Sequence, residues 1–160
     1  MRKWGVPSLL LCFCILTGCS AKPSYISQEQ ISAAFQCKAK ITSSSGVWEA
    51  VVTHTAGNGF SCEGENISYY WTGGQFYETC AGLESERGSC TLPDTAYALQ
   101  LKNLVSLLYE SQLEPLDGET LKGSCSWGEF IVKADSTTGK ILEIRCDGAG
   151  FHAVFEDLET

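Results

Sequence analysis

Thiols dominate the chemistry this chain can offer. Nine cysteines stand at positions 12, 14, 19, 37, 62, 80, 90, 125 and 146 of the 160 residues, against two histidines, His54 and His152. No cysteine pair has the C-x-x-C spacing of a zinc site, and neither histidine has a second His or Cys three to five residues on, so no metal is expected. G-x-S-x-G, H-E-x-x-H and P-loop patterns are missing, and no cofactor motif takes their place. His54 follows Thr53 at the end of an apolar-alternating run and His152 flanks Phe151, positions that read as rim histidines rather than catalytic bases. The arrangement Cys62-Glu63 with a distant histidine is the nearest approach to a thiol enzyme. What remains for the thiols is acylation or pairing.

The N-terminus separates those two fates. Arg2 and Lys3 form a positive start, residues 4–16 form an apolar run, and small residues flank the position where that run ends. The run is shorter than the roughly 20 residues that span a bilayer and contains Gly5 and Pro7. The tetrapeptide Leu16-Thr17-Gly18-Cys19 resembles the bacterial lipobox. That resemblance implies a signal peptide over residues 1–18, a diacylglycerol on the Cys19 thiol, a short tether over 19–26 and a domain over 27–160. Two acyl chains, at about 0.8 kcal/mol per buried CH₂, hold a protein on a membrane where one chain does not. Membrane lipid is thus the first expected partner, through acylated Cys19, on the extracytoplasmic face of a bacterial envelope.

Loss of residues 1–18 removes Cys12 and Cys14 and leaves nine basic against nineteen acidic residues, a net charge of −10. Such a surface repels nucleic acid and anionic headgroups alike. The remaining length suits one domain with a real core.

The elements that must position the other six cysteines can be read from period and turn chemistry. Ser27-Gln28-Glu29-Gln30 forms a capping box and predicts a helix of one to two turns, ending near residue 34. Alternation then predicts strands over 35–41, 47–55, 60–63, 67–72 and 75–80, with Gly73-Gly74 as a two-residue hairpin turn. Residues 80–90 are a polar excursion without period. A helix is expected from Thr91-Leu92-Pro93-Asp94 to about residue 109, because Tyr97, Leu101, Leu104, Val105 and Leu108 recur on one face. A connector over 114–123 and strands over 124–134, 140–147 and 150–158 complete the chain. The expected fold is mainly β (α+β): a curved antiparallel sheet of about eight strands, a half-barrel, covered by one amphipathic helix.

An even set of six thiols in an exported domain predicts disulfides. Cys80 and Cys90 enclose the polar excursion and are expected to bond. Cys125 and Cys146 are expected on consecutive strands, almost equidistant from the turn at 135–139, and so to bond across the hairpin. Cys37 and Cys62 pair by elimination, although a meander sets their strands two positions apart; the alternative is two thiols buried beside Phe35 and Phe60. An apolar ligand groove could be lined by Tyr69, Trp71, Phe76 and Trp127 with Leu101, Leu104 and Leu108, residues that would otherwise be core.

The order of elements, with Phe35-Gln36-Cys37-Lys38-Ala39, Tyr70-Trp71-Thr72-Gly73-Gly74-Gln75-Phe76, Leu92-Pro93-Asp94 and Asp135-Ser136-Thr137-Thr138-Gly139-Lys140, resembles the LolA and LppX-type half-barrel of lipoprotein- and lipid-handling envelope proteins. Over residues 27–158 it is similar to small clostridial-type lipoproteins that share the fold of the germination lipoprotein GerS. The resemblance implies a non-enzymatic, membrane-anchored binding module for a protein partner or an apolar, lipid-like ligand. The competing expectations are an envelope thiol or disulfide enzyme and a purely structural lipoprotein.

Overall fold

The computed structural model describes residues 25–57, 59–80, 83–86, 90 and 92–158, with the backbone alone for 83–86. The expected signal segment, Cys19 and most of the tether lie outside the described residues. Among those described, no helix is long and apolar enough to cross a membrane.

The fold is mainly β. Eleven strands form one antiparallel, unclosed sheet: β1 (Phe35–Ser43), β2 (Gly46–Thr55), β3 (Gly59–Glu63), β4 (Ile67–Thr72), β5 (Gln75–Cys80), β6 (Leu83–Glu86), β7 (Glu114–Pro115), β8 (Thr120–Cys125), β9 (Gly128–Ala134), β10 (Ile141–Cys146) and β11 (Phe151–Glu156). Among the described residues one α-helix, α1 (Tyr97–Glu110), separates β6 from β7. The order across the sheet is β6-β5-β4-β3-β2-β1-β11-β10-β9-β8-β7, so two meanders meet where β1 pairs with β11. That one long-range pairing joins the halves that flank the helix in sequence.

Period-2 alternation assigns one face of this sheet to the core. Ile41 pairs with Trp48 and Ala153, Ala153 with Ile144, Ile144 with Val132, and Val132 with Leu121. This row spans six strands, and Ile41, Ala153, Ile144, Val132 and Leu121 are buried. The periodic face of α1 closes the core above it: Leu101, Leu104, Val105 and Leu108 are all fully buried. The helix packs over β1, β11 and β8, and rings at its two ends reach across to β2. Near its start Tyr97 stacks on Trp48 at 4.6 Å, and near its end Tyr109 stacks on His54 at 4.7 Å. Twelve residues of helix rise about 18 Å and six of strand about 20 Å, so the two ring contacts are matched in spacing.

Several expectations are corrected. The capping box yields only a 3-10 turn, Gln28–Gln30, although Gln30 Oε1 does accept from the Ser27 N–H at 2.7 Å. Gln28 explains the short element: its Nε2 donates to the Leu108 and Ser111 carbonyls, both at 2.7 Å, and its Oε1 accepts from the Leu113 N–H. The segment is thereby used as a C-terminal cap for α1, supplying partners to carbonyls that a helix end leaves open. Helix α1 starts at Tyr97, after Ala96, because the Ala96 N–H is taken by the Pro93 carbonyl in a turn.

Eleven strands replace about eight for three reasons. The predicted strand over 124–134 is a hairpin of β8 and β9 turning at Ser126-Trp127, where Gly128 holds φ at +113°. The connector over 114–123 supplies β7 and most of β8, and the polar excursion supplies β6 on the edge of β5. By contrast, Gly73 and Gly74, with φ of +57° and +79°, form the expected two-residue turn of β4 and β5, a geometry that favours glycine at both positions.

Candidate functional site

Beside the helix an aromatic row continues the sheet face outward. Phe35 pairs with His54, His54 with Phe60, Phe60 with Trp71, and Trp71 with Phe76 across β1 to β5. The rings touch: Phe60 and Trp71 lie 5.8 Å apart, Trp71 and Phe76 5.1 Å, and Tyr69 stacks on Phe76 at 6.3 Å. Helix α1 meets this row at its β1 side, where Tyr109 stacks on His54. Its flank carrying Leu99, Lys102 and Ser106, at i, i+3 and i+7, faces Phe60, Trp71 and Phe76 across an open groove of about 740 Å³. The turns of β2 with β3 and of β4 with β5 form the rim, with Cys90 beside them, and His54 stands at the inner end.

The electrostatics of the groove are simple. Burial holds the His54 imidazole below the ordinary histidine value, so it is neutral at pH 7 and sandwiched between Phe35 and Tyr109. The Tyr109 hydroxyl donates to the Ser32 carbonyl at 2.7 Å, and burial pushes it up to about 12. Among the described residues His54 makes these ring contacts and no hydrogen bond to Ser106 or to a carboxylate. Among the described residues Lys102 is the one cation of the lining. Among the described residues no group of three or more His, Cys, Asp or Glu could hold a metal ion.

Of the residues expected to line a groove, Trp71 and Phe76 do so, and Tyr69 packs behind them against Tyr97. Leu101, Leu104 and Leu108 do not: they point from the opposite side of α1 into the core, with no exposed surface. Trp127 is at the far end of the sheet, in the turn of β8 and β9, beside Arg145 and Gly148. Phe60, Leu99, Lys102 and Ser106 were not among the expected lining, and His54 and Cys90, which also line the groove, were read as a rim histidine and a disulfide cysteine. The signal available for the helical three was their 3-4 spacing next to the core stripe, a second flank rather than a solvated face. His152 lies on the outer sheet face, Nε2 3.0 Å from Glu143 Oε1.

All six cysteines of the domain are free thiols. Cys37 and Cys62 flank Val52 in one row across β1, β2 and β3, and the valine side chain occupies the space between them. The bond expected by elimination is not made, and the thiols are held in the core face as in the alternative. Burial pushes both up to about 12, with the charge of Asp157 adding to the effect at Cys37 and that of Glu63 at Cys62. Cys80 ends β5, about 17 Å along the strand from Gln75, whereas Cys90 lines the groove with Gly74 and Gln75 at the other end. No bond joins them. Cys125 and Cys146 are on β8 and β10, separated by β9 rather than consecutive, yet their Sγ atoms are 3.9 Å apart.

No protein-family model matches this chain, and no curated protein matches it in sequence.

Proposed function

We propose that this protein is a membrane-anchored extracytoplasmic lipoprotein, held through acylated Cys19, whose half-barrel domain of LolA and LppX type is a non-enzymatic binding module for an apolar chain. The observation that carries the reading is the groove beside α1. Its floor of Phe60, Trp71 and Phe76 and its Leu99 wall are apolar, and its volume of about 740 Å³ is in the range that holds small ligands. Burial of His54 in a ring stack, with no nucleophile or carboxylate bonded to it among the described residues, favours binding over catalysis. The helix core stripe is spent on the sheet, so the groove rather than the barrel interior is the space left for a ligand.

The test is to purify the full chain from membranes in a mild detergent, extract it and identify bound apolar molecules by mass spectrometry. In parallel, brominated acyl chains are titrated against the fluorescence of the protein and of Trp71→Phe. Co-purifying acyl lipid, and quenching that Trp71→Phe removes, are the expected results. An extract without apolar molecules together with quenching independent of Trp71 would refute the reading.

A further inference from the structure

Six thiols were expected to form three bonds, but the tertiary structure sorts them into three unlike pairs. Cys37 and Cys62 are shielded from one another by Val52. Cys80 and Cys90 stand at opposite ends of β5. Cys125 and Cys146 alone are in contact, at 3.9 Å, and here the residue paired with Cys125 on the intervening strand is Gly128, which places no side chain between them.

A second contact holds the two segments together. After Cys146 the chain makes a 3-10 turn, Asp147–Ala149, and a Cβ at Gly148 would stand 1.7 Å from the Trp127 carbonyl oxygen. The backbone after Cys146 thus lies directly against the turn after Cys125. Both sulfurs flank a close backbone contact, and from 3.9 Å they have about 1.9 Å to close to reach the roughly 2.0 Å of an S–S bond.

We infer that Cys125 and Cys146 are the single redox clasp of this domain, oxidised to a disulfide that fastens the β8–β9 turn to the β10–β11 connection while the other four thiols form no bond with one another. The inference is independent of the groove. A small-molecule disulfide serves as oxidant. Cys125 is half-buried and meets the oxidant first: its thiolate attacks oxidised glutathione, forms a mixed disulfide and releases one glutathione thiolate. Cys146, fully buried, then attacks the Cys125 sulfur and releases the second glutathione. The protein loses two electrons and two protons, and two glutathione thiols carry them. Burial raises the Cys146 thiol, and the backbone N–H groups of Ala149 and Gly148 act in the opposite direction. The second step needs the Cys146 thiolate and therefore speeds up with pH.

The experiment uses the full chain, purified in detergent under reductant, then exposed to oxidised glutathione and mapped by non-reducing peptide mass spectrometry. The expected map links Cys125 to Cys146, with Cys37 and Cys62 alkylated only after unfolding. The closed loop encloses about 20 residues, so the melting temperature rises on the order of 10 °C, reversibly with reductant, and does not rise in Cys125→Ser. A folded protein that keeps Cys125 as its glutathione adduct, or a bond from either cysteine to Cys80 or Cys90, would overturn the inference.

Discussion

The two flanks of α1 are predicted to fail in different ways when a leucine is cut back. Leu104 has no exposed surface and packs in the core between the helix and the sheet, whereas Leu99, five residues earlier, forms a wall of the groove. Leu104→Ala removes three buried carbons and leaves a cavity in a close-packed region, which costs about 3 to 5 kcal/mol. For a domain of this size that is a fall in melting temperature on the order of 10 to 15 °C. Leu99→Ala is expected to cost under about 1 kcal/mol, since its side chain is only partly covered. The groove ligand, however, loses apolar contact worth about 1 to 2 kcal/mol, so an acyl chain binds roughly 5- to 30-fold more weakly. Thermal melts followed by circular dichroism, and Trp71 quenching by brominated acyl chains at a temperature where both variants are folded, measure the two effects. Equal losses of stability, or a folded Leu104→Ala that loses quenching while Leu99→Ala retains it, would place the binding surface on the wrong side of the helix and refute the reasoning.

At Gly123 an added methyl would stand 2.5 Å from Phe130 Cζ and 2.7 Å from Leu113 Cδ2, so Gly123→Ala is expected to destabilise by about 1 to 3 kcal/mol. Phe130→Leu in the same chain should recover part of that loss; denaturant titration of the double-mutant cycle checks the coupling, and additive effects would contradict the contact. Cys37 and Cys62 ionise at about 12 in the folded chain against an ordinary 9.0, so the native state keeps protons that the unfolded state releases. Their stabilising effect is complete below about pH 9 and is lost as pH rises toward 12, a window in which Tyr69, Tyr97 and Tyr109, also raised by burial, add to the fall. The denaturation midpoint should therefore drop above pH 9, less steeply in Cys37→Ala/Cys62→Ala, and a midpoint flat to pH 11 would disprove it. Cys19→Ser should leave the precursor uncut and without lipid in metabolic labelling, whereas continued acylation and cleavage at the same place would remove the lipobox reading.

Local chemistry was sufficient for most of the elements. Period-2 alternation identified β1 with its inward residues and β2, because an alternating strand with one buried face has only one way to sit on a core, and turn residues bounded β3 to β5. Gly73-Gly74 identified its hairpin, and the i, i+4, i+7 spacing of Tyr97, Leu101 and Leu104 identified the helix face, since both depend on backbone geometry within a few residues. The edge strands β6 and β7 carry no alternation strong enough to read, being held mainly by a neighbour's backbone hydrogen bonds. The hairpin of β8 and β9 was hidden because its turn rests on one residue, Gly128.

What only the tertiary structure decided is which residues meet across distance. The β1–β11 pairing joins two meanders over more than a hundred residues, and no local signal encodes it. That pairing and the position of α1 over β1, β11 and β8 send Leu101, Leu104 and Leu108 inward and leave Leu99, Lys102 and Ser106 facing Trp71 and Phe76. The same holds for the thiols. The sequence paired Cys125 with Cys146 across their turn as readily as it paired Cys37 with Cys62, but a side chain reaches only its spatial neighbours, and Val52 stands between Cys37 and Cys62 while Gly128 opposite Cys125 carries no side chain.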